Sequence, residues 1–158
     1  HMVSLKNKQQ GFTIVELLIV IVVIGILAAL VVTTFSGIQQ KARNTERETD
    51  IKAIHGQLEA YYAQNGRYPT LDNMNDSGTA TAFVETSLKG LDRESLKDPK
   101  SNAADTYDLG AAAANIYGYA PLDSGGGACN NAGGDDCVSY TLTATKEGGG
   151  TFEKKSLN

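Results

Sequence analysis

Tryptophan is absent from the 158 residues, and cysteine and histidine occur twice each. Two cysteines leave room for one disulfide and exclude a cysteine-rich zinc site or a disulfide-dense scaffold. His1 reads as a cloning residue, so His55 stands without a third and fourth ligand at metal spacing. Cations are also in short supply, with Lys+Arg 14 against Asp+Glu 18 and a net charge of -4. That balance argues against a protein whose main affinity comes from neutralising phosphates. A nucleophile paired with a base, a phosphate-cradling loop and a paired-carboxylate cleft are all missing at convincing spacing. The glycines at 125, 126 and 127 precede a cysteine rather than open a helix, so they are not a P-loop. The chain is therefore expected to be a non-enzyme without a cofactor, and its length suits one modest globular unit.

What is abundant is apolar chain in one place. Residues 12–32 hold sixteen Phe, Ile, Leu or Val side chains in 21 positions. As a helix this stretch is roughly 31 Å long, against a hydrocarbon core of about 30 Å. The sixteen contribute roughly -5 to -10 kcal/mol to insertion, more than the penalty of about 2.5 to 3.5 kcal/mol for one carboxylate, Glu16. The helix is expected to span a bilayer. Ahead of it lie Lys6 and Lys8 with no acidic residue, which places that end in the cytoplasm and the rest of the chain outside. Ala28-Ala29-Leu30-Val31 runs on into apolar chain instead of closing a short signal sequence, so the helix is expected to be retained.

Phe12 and Glu16 are four apart and share a helix face, and an ionised carboxylate in a membrane needs a positive partner. No Lys or Arg lies between Phe12 and Gly37. If the chain were cut before Phe12, the nearest cation would be an α-amino group there, its own or a neighbouring chain's.

The residues from Gly11-Phe12-Thr13-Ile14-Val15-Glu16 through Gly25-Ile26-Leu27-Ala28-Ala29 resemble the prepilin processing motif of type IV pilins and related secretion pseudopilins. The resemblance implies cleavage between Gly11 and Phe12 by a membrane aspartyl peptidase and N-methylation of Phe12. It also implies that Glu16 meets a neighbour's amino terminus during assembly. Pilins often carry a proline in the early helix, within a segment that melts in the filament. This chain has Gly25 there instead, with Thr33-Thr34 and Gly37 as further weak points.

Beyond the apolar run, Ile51, Ile54, Leu58, Tyr61 and Tyr62 recur at steps of three and four. Lys41, Arg43, Glu46, Arg47, Glu48, Asp50, Lys52 and Glu59 are expected on the other faces. The helix should stop at Asn65-Gly66, with Pro69 shortly after. The segment around Leu58 to Pro69 also resembles the helix end of pilins and pseudopilins. Residues 70–108 read as a polar connection with turn formers at 72–78 and a short helix at 80–88. Asn75-Asp76-Ser77 matches a glycosylation sequon of the kind that arises by chance. Strands are expected at 116–121 and 138–145, the latter alternating Val138, Tyr140, Leu142 and Ala144 with hydroxyl residues, and a charged edge strand at 151–155.

The expected fold class is α+β: a long N-terminal helix, membrane half plus amphipathic half, packed against a small C-terminal antiparallel sheet, pilin-like. The expected segments are a leader at 1–11, a membrane and filament-core helix at 12–32, its amphipathic half at 33–64, a connecting region at 65–114 and the sheet with its disulfide loop at 115–158. Cys129 and Cys137 close a short loop outside the membrane, where oxidation is permitted, and are read as a disulfide. Asp123, Asp135 and Asp136, with Asn130 and Asn131, crowd the same loop as calcium candidates. Without a D-x-[DN]-x-[DN]-G pattern, the loop is read as a solvated acidic one.

These features together point to a structural subunit of a type IV pilus. It would be held singly in the cytoplasmic membrane with its N-terminus inside, processed by the prepilin peptidase, and assembled as a homo-oligomeric extracellular filament by a pilus platform. Lipid is the expected partner before assembly, and nucleic acid is a weakly supported one. The alternatives are a pseudopilin of a type II secretion system and, from another class, a monomeric membrane-anchored binding module.

Overall fold

A computed structural model describes residues 11–75, 82–103 and 109–158. Residues 1–10 of the expected leader therefore lie outside the described residues, as do Asp76 and Ser77 of the sequon and Ala80 and Thr81 of the expected short helix. The chain divides into two compact units, His1–Gln39 and Gln40–Asn158. A single helix, α1 (Ile14–Asn65), contributes to both.

In the first unit α1 has no tertiary partner among the described residues. Every large apolar side chain from Phe12 to Ile38 is exposed, between 48% and 84%. The hydroxyls that interrupt the apolar run turn back on the helix. Thr33 and Thr34 donate to the Leu30 carbonyl at 3.1 and 3.0 Å, and Ser36 donates to that of Thr33 at 3.0 Å.

The second unit has a core. α1 buries Arg47, Ile51, Ile54 and Leu58 there, a stripe at steps of four, three and four that follows from 3.6 residues per turn. Arg47 thus sits on the core face, not among the solvated charges where its side-chain type had placed it. The helix ends when Gly66 turns to φ +72, a conformation that glycine adopts without steric cost, while its N–H bonds the Tyr62 carbonyl at 2.7 Å. Tyr68 then enters the core completely.

The connecting region is more structured than its composition implies. Thr70 and Asn73 exchange hydrogen bonds as a capping box and start α2 (Leu71–Met74), where only turn residues were expected. α3 (Phe83–Ser87) occupies part of the expected short helix, and a 3₁₀ turn follows at Arg93–Leu96. Met74, Val84, Leu88 and Leu96 from these short elements are fully or almost fully buried in the same core as the sheet.

The sheet has four strands in the order β1 (Leu109–Gly110), β2 (Tyr117–Leu122), β3 (Ser139–Thr145), β4 (Thr151–Lys155). β2, β3 and β4 pair antiparallel, but β1 runs parallel to β2, so the sheet is mixed and not purely antiparallel. The physical reason is that β1 is only two residues long and is held by a side chain. The Asn75 amide donates to the Leu109 carbonyl at 2.7 Å and accepts from its N–H at 3.1 Å, standing in for a neighbouring strand. The chain then turns back at once, and Ala112 comes so close to Gly118 that a Cβ there would lie 2.8 Å from its own. In β3, Tyr140, Leu142 and Ala144 face the core as the alternation implies. β4 is an edge strand.

Candidate processing and assembly site

Gly11 and Phe12 precede the first turn of α1, and Phe12 is 83% exposed. Thr13 is the N-cap of that turn. Its hydroxyl accepts from the Glu16 N–H at 3.2 Å, and Glu16 Oε2 accepts from both the Thr13 N–H and the Thr13 hydroxyl at 2.9 Å. This is a reciprocal capping box of the form T-x-x-E, which satisfies two of the backbone donors that every helix start leaves open. The carboxylate of Glu16 is therefore already engaged within its own chain. The sequence reading gave Glu16 a cation or the headgroups, although the Thr13 to Glu16 spacing carries the signal of a cap. Gly25 is open on all sides, and a methyl group placed on its Cα would meet nothing within 4 Å.

In the second unit, Cys129 and Cys137 are bonded, eight residues apart. The bond secures the end of α1 as well as its own loop. The Cys137 carbonyl accepts from the Tyr68 N–H at 2.8 Å, and the Asn131 side chain bridges the Cys137 N–H at 2.8 Å and the Tyr68 carbonyl at 2.9 Å. Of the three calcium candidates, Asp123 and Asp135 are bound into the loop itself and in contact with one another. Asp123 accepts from the Gly125 and Gly127 N–H groups at 2.8 Å, and these backbone bonds, Gly127's foremost, hold its carboxyl below the usual range. Asp135 accepts from the Asn130 N–H at 3.1 Å, and Asp136 pairs with Arg67 at 3.2 Å. Among the described residues no three His, Cys, Asp or Glu side chains are grouped to hold a metal.

Two polar clusters were not foreseen. Arg47 makes a two-pronged ion pair with Asp98 at 2.6 and 2.9 Å, both side chains 1% exposed, and reaches Asn44 and Glu147 with its remaining nitrogen. Glu147, on the β3–β4 turn, also receives Arg43 at 2.6 and 2.7 Å. The Arg43 bonds, joined by Arg47, hold the Glu147 carboxyl down to about 2. Nearby, burial pushes Asp50 up to about 6 although it accepts the Tyr117 hydroxyl at 2.7 Å. The second cluster is centred on Glu59, which accepts from Tyr140 at 2.7 Å, Tyr68 at 3.0 Å and the Leu157 N–H at 3.2 Å. His55 Nδ1 lies 2.7 Å from the same Tyr140 oxygen. His55 is partly buried on α1, at the edge of this cluster.

A family model described as the prokaryotic N-terminal methylation motif matches residues 6–32, spanning the Gly11–Phe12 junction and the capping box. The type II secretion system core protein G of Dickeya chrysanthemi is 41% identical over 68 residues, 43% of this chain and 44% of that protein. Over its N-terminal part this chain is similar to the secretion pseudopilins and carries a type IV pilin-like methylation motif. Other proteins of the same description are as similar: that of Escherichia coli (strain K12) is 44% identical over 64 residues, 40% of this chain and 44% of its own length. That of Vibrio cholerae is 43% identical over 66 residues, 42% of this chain and 45% of its own. The chain thus spans less than half the length of these relatives. No solved structure matches. The long helix with a small mixed sheet is a pilin-like α+β arrangement.

Proposed function

We propose that this chain is a filament subunit of the pseudopilin type, held in the cytoplasmic membrane by the first part of α1 and drawn into a homo-oligomeric helical assembly after cleavage at Gly11 and methylation at Phe12. Its role is structural, not catalytic. The observation that carries the reading is the fully exposed apolar helix that opens on a methylation motif and the Thr13–Glu16 capping box. Such a helix needs lipid or copies of itself to cover it. The secretion-type relatives favour a pseudopilus over the cell-surface pilus that the disulfide and the missing calcium pattern had suggested. One observation keeps the surface pilus as a second reading: the bonded Cys129–Cys137 loop braces the outer unit against Tyr68.

Deleting the gene separates the two. Loss of exported enzymes with surface filaments intact supports the pseudopilin reading, and loss of surface filaments with normal export supports the pilus. Within either, Glu16→Ala should leave membrane abundance equal or higher, because any cost of holding a carboxylate at the membrane goes with it, and should abolish filaments. Normal filaments from Glu16→Ala would remove Glu16 from assembly. Amino-terminal sequencing should place the mature start at Phe12, and a start at Met2 would reject the processing site.

A further inference from the structure

The apolar surface of α1 does not stop at Val32, where the run of large aliphatic residues ends. Phe35 and Ile38 are 57% and 60% exposed, and the hydroxyls of Thr33, Thr34 and Ser36 are spent inside the helix. A hydroxyl that bonds its own helix carbonyl presents little polarity to lipid. From Leu17 to Ile38 the chain has no charged residue, and the first one beyond is Lys41. These 22 positions measure roughly 33 Å as a helix, enough for the hydrocarbon core of about 30 Å.

Residues 12–32 are equally long, so length does not choose between the two registers. The N-terminal end of α1 does. α1 starts at Ile14, so the N–H groups of Ile14 and Val15 precede any carbonyl that the helix could offer them. The capping box serves the N–H groups of Thr13 and Glu16 instead. Helix-start donors and a carboxylate set in hydrocarbon are costly, and both are served by water at the headgroups. Sliding the helix toward its C-terminal side takes Phe12, Ile14 and Val15 out of the core and brings in Phe35 and Ile38 with three internally bonded hydroxyls. Little apolar burial is exchanged, and the whole capping box leaves the hydrocarbon.

We propose that the bilayer grips α1 over residues 17–38 rather than 12–32, so that the Thr13–Glu16 capping box and the Gly11–Phe12 bond stand in the cytoplasmic headgroup layer. The inference rests on the anchor reading above and adds its register. It means that the bond to be cut is presented in a wet layer and that Glu16 needs no cationic partner while the subunit waits in the membrane.

The test is a nitroxide scan. Single cysteines replace exposed residues from Ile14 to Ile38 in the full chain, whose own two cysteines are bonded to each other, and are spin-labelled in phosphatidylethanolamine–phosphatidylglycerol vesicles. Accessibility to oxygen against a water-soluble nickel chelate reports depth. The deepest positions should be Leu27 and Ala28, with Ile14 reached by the chelate and Thr34 protected from it. A depth maximum at Val22, about five residues away along the helix, with Thr34 open to the chelate, overturns the register and leaves the anchor standing. Chelate access at every position overturns the anchor as well.

Discussion

Up to Gln39, α1 leaves all of its large apolar side chains in the open, and after Gln40 the same helix buries Arg47, Ile51, Ile54 and Leu58 completely. The difference is not one of helix-forming tendency, since both parts are regular. It lies in what covers them. The first part is apolar on almost every face and lies against no protein among the described residues. The second is apolar on one stripe and is matched by sheet and connecting region. A helix of one kind answers to lipid or to copies of itself, and a helix of the other kind to its own chain. Changes to the second unit should therefore alter its melting without touching membrane insertion, and four sets of substitutions put that separation at risk.

The largest effect is expected from Arg47→Met. It strands the Asp98 carboxylate in the core, and breaking a buried pair from one side costs about 3–5 kcal/mol. Near-UV circular dichroism of the full chain in detergent should show a much lower melting temperature for the tyrosine-rich unit, with the membrane fraction unchanged. Adding Asp98→Leu should recover most of the loss. A single variant that melts like the parent would show the pair to be idle.

Replacing Cys129 and Cys137 by serine ranks next, at roughly 2–3 kcal/mol for a loop this short. Urea titration with and without reductant measures it directly. Reduced abundance in the membrane would break the proposed independence of the two units.

Acidity separates two carboxylates of the second unit, Glu147 and Asp50. Glu147 is held down to about 2, so its contribution is present above the ordinary 4.5 of a free glutamate and is lost as pH falls through 4.5 toward 2. Asp50 is pushed up to about 6, so the folded form holds a proton that the unfolded chain releases near 3.8, and stability falls as pH rises from about 4 through 6. Asp50→Asn keeps an acceptor for Tyr117 and should flatten that fall, gaining less than about 2 kcal/mol at pH 7 after allowance for its partial exposure. Melting temperatures at pH 4 and pH 7 decide it, and an unchanged pH slope rejects the assignment.

The smallest effect is Gly56→Ala. The position is an exposed turn of α1 with nothing within 4 Å of the new methyl, so the second unit should gain about 0.5–1 kcal/mol. The matching change Gly25→Ala, equally open, belongs to the first unit and should leave that melting curve where it was.

How much of this could be read from residues alone follows the same division. The long helix and the strand that became β3 were legible because apolar spacing reports burial directly, and the stop at Gly66 and the edge strand β4 because turn residues mark where elements end. Arg47 was not, because a guanidinium is assigned to solvent by type. Only the distant Asp98, 51 residues away, gives it a buried partner, with the partly exposed Glu147 100 residues away beside it. The parallel pairing of β1 was hidden for a similar reason: β1 is held by the side chain of Asn75, which spends its amide on Leu109. At the candidate site the Gly11–Phe12 junction and Glu16 were plain in the residues. The role of Thr13 was missed because attention went to charge when the spacing already spelled a cap.

The capping box at Thr13 has a bearing on how firmly subunits hold one another. A carboxylate with no partner at home would bind the first cation it met and keep it. Glu16 instead carries two hydrogen bonds from Thr13, so whatever recruits it gains only the difference between the new contact and the old one. In the proposed filament, joints made through such a group would exchange readily, and a misplaced neighbour would leave because the departing carboxylate has somewhere to return. The residue that starts the helix would thereby tune the lifetime of each contact toward error correction.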